Sequence, residues 1–251
     1  MTKNLYIQTG ASRGMGLAMA EQLLGPDNHL LCISRHTNEA LSARAARANC
    51  LLAQWPLDLQ DGLAASERLA QWLKSPSASG LLSATLINNA GVIPDIAPLS
   101  ATDPVQLIRA LRVGLEAPML LTAAFLQATG HWTLPRKVLN ISSGLGRRAM
   151  ASQTAYCAAK AGMDHFTRCL ALEEALKPFG AKVCSLAPGV IDTDMQIQLR
   201  SANAQAFPDH NSFLSLHRNG QLSSPADAAS LVLACLARAD FGIQTITDVR
   251  G

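Results

Sequence analysis

The chain has 251 residues, 49% hydrophobic and 16% charged, enough for one sizeable core, and its even composition offers no linker at which to divide it. A net charge of +3 from dispersed Lys and Arg excludes a nucleic-acid partner as the expectation. The polar N-terminus, the short apolar stretch at 117–126 and six cysteines with no C-x-x-C predict a cytoplasmic protein with reduced packing thiols and no membrane partner.

Short apolar runs alternate with segments of helical periodicity, the pattern of βα units that build a parallel sheet. Strands are predicted at 5–8, 29–34, 50–56, 84–88, 137–142, 182–187 and 244–248. Helices are predicted at 15–24, 40–48, 62–74, 104–127, 154–177 and 225–238. The last has a defined start, with Ser224 as N-cap, Pro225 in the first turn and Asp227 at the third helical position. Residues 191–222 break the alternation and are rich in Gln, Asn and Ser, which predicts a lid over a site.

Directly after the first strand stands Thr9-Gly10-Ala11-Ser12-Arg13-Gly14-Met15-Gly16, opening into a helix. Glycines allow a sharp turn and close approach to a pyrophosphate, and a helix N-terminus presents free N–H groups to it. The second strand ends at Ser34-Arg35, where an NAD-preferring site would offer a carboxylate to the adenosine ribose. Here Ser34 can donate a hydrogen bond, and Arg35 and Arg13 can face a 2′-phosphate, so the expected cofactor is NADP(H). Further along, Tyr156 and Lys160 are four residues apart on a predicted helix, which puts a phenol beside an ammonium. A fixed cation favours the phenolate, and the pair can then act as an acid–base catalyst at a carbonyl or alcohol.

With these motifs placed, the chain resembles the short-chain dehydrogenase/reductase family over essentially its whole length. Asn88-Asn89-Ala90-Gly91 resembles the family's segment beside the adenosine, and Asp58-Leu59 its adenine-contacting pair. Ser143, thirteen residues before Tyr156, matches its catalytic serine, with Ser142 as the rival, and Pro188-Gly189-Val190 with Thr193 matches its nicotinamide-side loop. The resemblance implies hydride transfer without a metal. Tyr156 would exchange a proton with the substrate oxygen, Ser143 would hydrogen-bond it, and Lys160 would lower the Tyr156 pKa and hold the nicotinamide ribose.

One position departs from the family pattern. Gly114 stands where members usually carry an Asn that helps a water relay protons to the lysine. Glycine keeps its carbonyl and loosens a helix where a water could insert, which predicts a weakened or rerouted relay rather than a dead enzyme.

Local strings such as Leu170-Ala-Leu-Glu-Glu174 and Thr247-Asp248-Val-Arg-Gly251 resemble the sepiapterin reductase and bacterial benzil reductase branch. In sepiapterin reductases an aspartate close to the C-terminus anchors the pterin, and Asp248 holds the similar place. It could equally cap the last strand or meet an oligomer interface. Arg147 and Arg148 could greet an acidic substrate or be solvated loop charges, and Trp55 and Trp72 read as packing. The expectation is a single domain over 1–251 with a Rossmann-type doubly wound sheet of about seven strands and helices on both faces. Its activity would be NADPH-dependent reduction of a small-molecule ketone or vicinal dicarbonyl. The resemblance further implies a homodimer or homotetramer paired through the two long helices. A non-catalytic NADP(H) sensor and an NADP+-dependent secondary-alcohol dehydrogenase remain the alternatives.

Overall fold

The computed structural model describes residues 3–75 and 80–250. Seven strands form one sheet, β1 (Lys3–Thr9), β2 (Asn28–Ser34), β3 (Leu51–Pro56), β4 (Leu81–Asn88), β5 (Arg136–Ile141), β6 (Lys182–Ala187) and β7 (Ile246–Asp248). Every pairing is parallel and the order is β3-β2-β1-β4-β5-β6-β7. The winding reverses between β1 and β4, and the crevice at the strand ends there is where doubly wound sheets bind ligands.

The apolar runs form strands because both faces of the sheet are covered. Along β2, Leu30 and Cys32 pack into one cluster with Met19, Ala228 and Val232, while Leu31 and Ile33 pack into the other with Leu69, Leu121 and Phe125. The helices on the first face are α1 (Gly14–Gln22), α2 (Glu39–Arg47) and α9 (Pro225–Ala237), and those on the second include α3 (Gly62–Leu73) and α5 (Ala117–Thr129). Trp55 and Trp72 belong to the second cluster and meet edge to face at 6.0 Å. They are packing residues, and Trp132 joins the same cluster.

Side-chain caps set several helix starts. Asn38, Asp61 and Asp103 each accept a backbone N–H of the following turn, and Ser224 accepts from Asp227 as the sequence predicts. The helix expected over 104–127 is interrupted. It runs as α4 (Pro104–Leu111), a π-helical turn at Arg112–Glu116 and then α5, with Gly114 at the centre of the wide turn. Such turns widen the helix locally, and a residue with no side chain is the least hindered occupant.

The long helix α6 (Thr154–Ala175) carries Tyr156 and Lys160 near its start. The region expected to be a lid contains two helices, α7 (Asp194–Arg200) and α8 (His210–Arg218). They enclose a third apolar cluster of Met150, Leu199, Phe207 and Phe213, separate from the two that flank the sheet. Cys157 packs against it.

Candidate active site

A cleft of about 780 Å³ lies at the carboxyl ends of β1, β2, β4, β5 and β6, within the usual size of small-ligand sites. The catalytic and cofactor-binding residues expected from the sequence all line it: Gly10, Ser12, Arg13, Gly14, Met15, Gly16, Ser34, Arg35, Asp58, Leu59, Asn89, Ala90, Gly91, Ser143, Tyr156, Lys160, Pro188, Gly189, Val190 and Thr193.

At the β1 end the glycine loop is fastened to the tip of β4. Thr9 Oγ1 accepts from the backbone N–H groups of Asn89 and Ala90, and Asn89 Nδ2 donates to the carbonyls of Thr9 and Gly10. Gly10 has φ +68°, a backbone setting that side chains rarely adopt. A Cβ on Gly16 would come within 2.0 Å of the Gly10 carbonyl oxygen. The loop is therefore closed to side chains and presents backbone to the cleft. Ser34 is already engaged, since its Oγ accepts from the Ala11 N–H at 2.8 Å, but a hydroxyl that accepts can still donate.

Charge gathers at this end of the cleft. Arg35 and Arg109 lie near Asp58. Burial pushes the Asp58 carboxyl up, but hydrogen bonds from Gln60 and those two guanidinium groups outweigh it and hold the group below the usual carboxylate range. Arg109 was not singled out from sequence. It lies one turn before Val113 on the wall of the cleft, and its signal is only a cation at helical spacing from a lining residue. Arg13 lines the cleft and has a protein partner as well. It pairs with Asp194 at 2.6 Å, an exposed bridge between the glycine loop and the start of α7.

At the β5 end, Ser143 follows the strand and Tyr156 and Lys160 face it from α6. Ser143 Oγ accepts from the Leu145 N–H at 3.1 Å, capping a short 3-10 turn over Gly144–Gly146. Ser142 is more deeply buried, and its Oγ has no partner. Both serines border the cleft, because the strand has already ended at Ile141 and its side-to-side alternation no longer separates them.

The phenol and the ammonium are adjacent, and both are governed first by burial. Lys160 Nζ stands 5.8 Å from the centre of the Tyr156 ring, over its face, and donates to the Ile141 carbonyl at 2.7 Å. Burial pushes the Tyr156 phenol up, the Ser143 hydroxyl opposes the rise, and Cys157 adds to it. Burial also pushes the Lys160 ammonium down to about 8, with Asp164 opposing the fall. The Ser143 hydroxyl favours the phenolate against the pull of burial.

Two residues whose roles the sequence leaves open, Asp248 and Arg147, have partners within the protein. Asp248 receives a bidentate pair of hydrogen bonds from Arg250, both 2.8 Å, and the Arg250 guanidinium holds the carboxyl below its usual range. Arg250, not Asp248, lines the cleft. Arg147 turns inward to Asp164, while Arg148 lines the cleft. The Arg147 partner is supplied by the folded neighbourhood, whereas Arg250 is the sequence neighbour of Asp248 two residues on.

Residues 4–204 match the short chain dehydrogenase family, and the chain belongs to it, a family of oxidoreductases that bind a nicotinamide cofactor. The chain is 36% identical over 235 residues to a benzil reductase ((S)-benzoin forming) of Bacillus cereus, covering 94% of each. It is 32% identical to the sepiapterin reductase of Bos taurus, covering 95% of this chain and 91% of that one. Among solved structures, one from Agrobacterium tumefaciens with bound NADP superposes with a TM-score of 0.80 at 25% identity, covering 99% of this chain and 95% of that one. No helix among the described residues is long and apolar enough to cross a membrane.

Proposed function

We propose that the protein is an NADPH-dependent carbonyl reductase acting on a ketone or vicinal dicarbonyl. One observation carries the reading: the cleft that holds the glycine loop also brings Ser143, Tyr156 and Lys160 together at its other end. The residues fit a nicotinamide dinucleotide. The Gly10–Gly16 cradle excludes side chains, α1 opens behind it with free backbone N–H groups, and Arg35 lines the same cleft and would supply the cation that a 2′-phosphate needs. When bound, the cofactor would supply the hydride.

The chain's own residues supply the rest. The glycine loop and the N-terminus of α1 would hold the pyrophosphate, Asp58 and Leu59 the adenine, and Pro188-Gly189-Val190 with Thr193 the nicotinamide side. Ser143 would fix the substrate oxygen, Tyr156 would give it a proton, and Lys160 would hold the ribose hydroxyls. The apolar cluster of Met150, Leu199 and Phe213 borders the same cleft and would keep water from the reacting carbonyl. The similarity to benzil and sepiapterin reductases supports a carbonyl flanked by a second polar group. Exposed Val105 and Ile108 on α4 and Leu172 on α6 support pairing of copies through these helices, as a homodimer or homotetramer.

The test mixes the protein with NADPH and a panel of vicinal diketones, quinones and pterins while the absorbance of reduced nicotinamide is followed. Consumption of NADPH with a panel member is expected. Tight NADPH binding with no consumption across the panel would make the protein a cofactor sensor, and faster consumption of NADH would remove the role given to Arg35.

A further inference from the structure

Asp164 is 1% exposed, and the chemistry proposed above makes no use of it. It lies one turn beyond Lys160 on α6. Its Oδ1 accepts from Ser185 of β6 at 2.6 Å and its Oδ2 from Arg147 Nε at 3.1 Å. Arg147 Nη2 in turn donates to the Thr247 carbonyl of β7 at 2.9 Å. One carboxylate therefore joins the helix that carries Tyr156 and Lys160, the turn that follows Ser143 and two strands. That turn lies tight against the helix, since a Cβ on Gly146 would meet the Lys160 carbonyl at 2.9 Å and Asp164 Oδ2 at 3.0 Å.

Lys160 is 4% exposed and needs a counter-charge. Its direct partners are the Ile141 carbonyl from β5 and the Met163 sulfur, neither of which balances an ammonium. The end of β4 contributes Gly91, and α6 contributes the Tyr156 ring and Asp164. Around Asp164 itself stand Arg147, Ser185 and Cys184, whose thiol is pushed up to about 12 by burial and so stays neutral. Beyond Arg147, Asp248 is already neutralised by Arg250. Among these groups Asp164 is the carboxylate that acts on Lys160, and Arg147 shares its charge.

We propose that Asp164 is a positioning residue that keeps Lys160 in its ammonium form within the cleft wall and, through Arg147, fixes the turn that carries Ser143. The proposal rests on the roles given above to Ser143, Tyr156 and Lys160. Burial pulls the Lys160 ammonium down to about 8, and the Asp164 carboxylate is the group that opposes the fall. A lysine in this state is charged below that pH and loses its charge as pH rises through it. Removing the carboxylate charge moves the loss to lower pH.

The experiment records the pH profile of kcat/KM for NADPH oxidation. Asp164→Asn is expected to move the alkaline limb down by about one pH unit, and Asp164→Glu to leave it near the wild-type position. Arg147→Met leaves the carboxylate unshared and is expected to move the limb upward. A folded Asp164→Asn protein with an unmoved limb, or a downward move in Arg147→Met, overturns the proposal. Should Asp164→Asn fail to fold, Asp164→Glu and Arg147→Met carry the test through the same limb. Tyr156→Phe separates the two levels of the argument. If it stays fully active, the reading of the site itself fails; if it is inactive while the limbs stay put, only the role of Asp164 fails.

Discussion

The two ends of the cleft are built by opposite means. At the glycine-loop end the work is done by backbone, with Thr9 and Asn89 fastening the loop and glycines removing every atom in the way. At the Tyr156 end it is done by titratable side chains, with Lys160 and Asp164 both buried and Tyr156 half-buried beside them. Backbone sites resist small changes in pH and depend on shape. Buried charges cost stability unless paired, and they make function depend on protonation. The contrast teaches where each kind of substitution should act.

Three substitutions sharpen this comparison. The largest effect is expected from Gly16→Val. Its Cβ meets a backbone carbonyl at 2.0 Å and the loop must move, so NADPH affinity measured by fluorescence titration should fall by about two orders of magnitude or more, at all pH values, with the fold retained by circular dichroism. A smaller effect is expected from Arg35→Ala, which removes a charged hydrogen-bond donor from the open end of the cleft. The ratio of NADPH to NADH affinity should drop by roughly tenfold to a hundredfold, with the alkaline limb of the rate profile unmoved. The smallest is expected from Gly114→Asn. A Cβ there would meet Ala159 Cβ at 3.1 Å, so a neighbour must give slightly, and kcat should change only about severalfold. A hundredfold loss in that variant would mean that the π-helical turn is a working part of the proton path.

The sheet was legible because its strands are buried on both faces and leave continuous apolar runs, and the glycine loop was legible because strand, loop and helix are contiguous. Asn88 to Gly91 and Ser143 could be placed because they follow strand ends directly. What the sequence left open is the partner of each charged side chain. Arg13 pairs with Asp194 and Arg147 with Asp164, both across the fold, while Asp248 pairs with Arg250 only two residues away, and nothing in a linear pattern selects these partners over a ligand or solvent. The two helices of the lid were missed because their apolar residues close on a small private cluster, too short a pattern to register as helical. Spacing places Lys160 beside the Tyr156 ring, and the fold adds what spacing does not carry, that Lys160 donates to the Ile141 carbonyl and that the Ser143 hydroxyl favours the phenolate.

The central claim is that Tyr156 is the proton donor of a reductase, and a single measurement addresses it. The rate of NADPH oxidation with a vicinal diketone is compared between the wild-type protein and Tyr156→Phe, with NADPH affinity measured alongside. Loss of the phenolic hydroxyl should lower kcat by about 10²–10⁴-fold while NADPH still binds, as expected for removal of a general acid. Turnover by Tyr156→Phe within a few-fold of wild type would contradict the account.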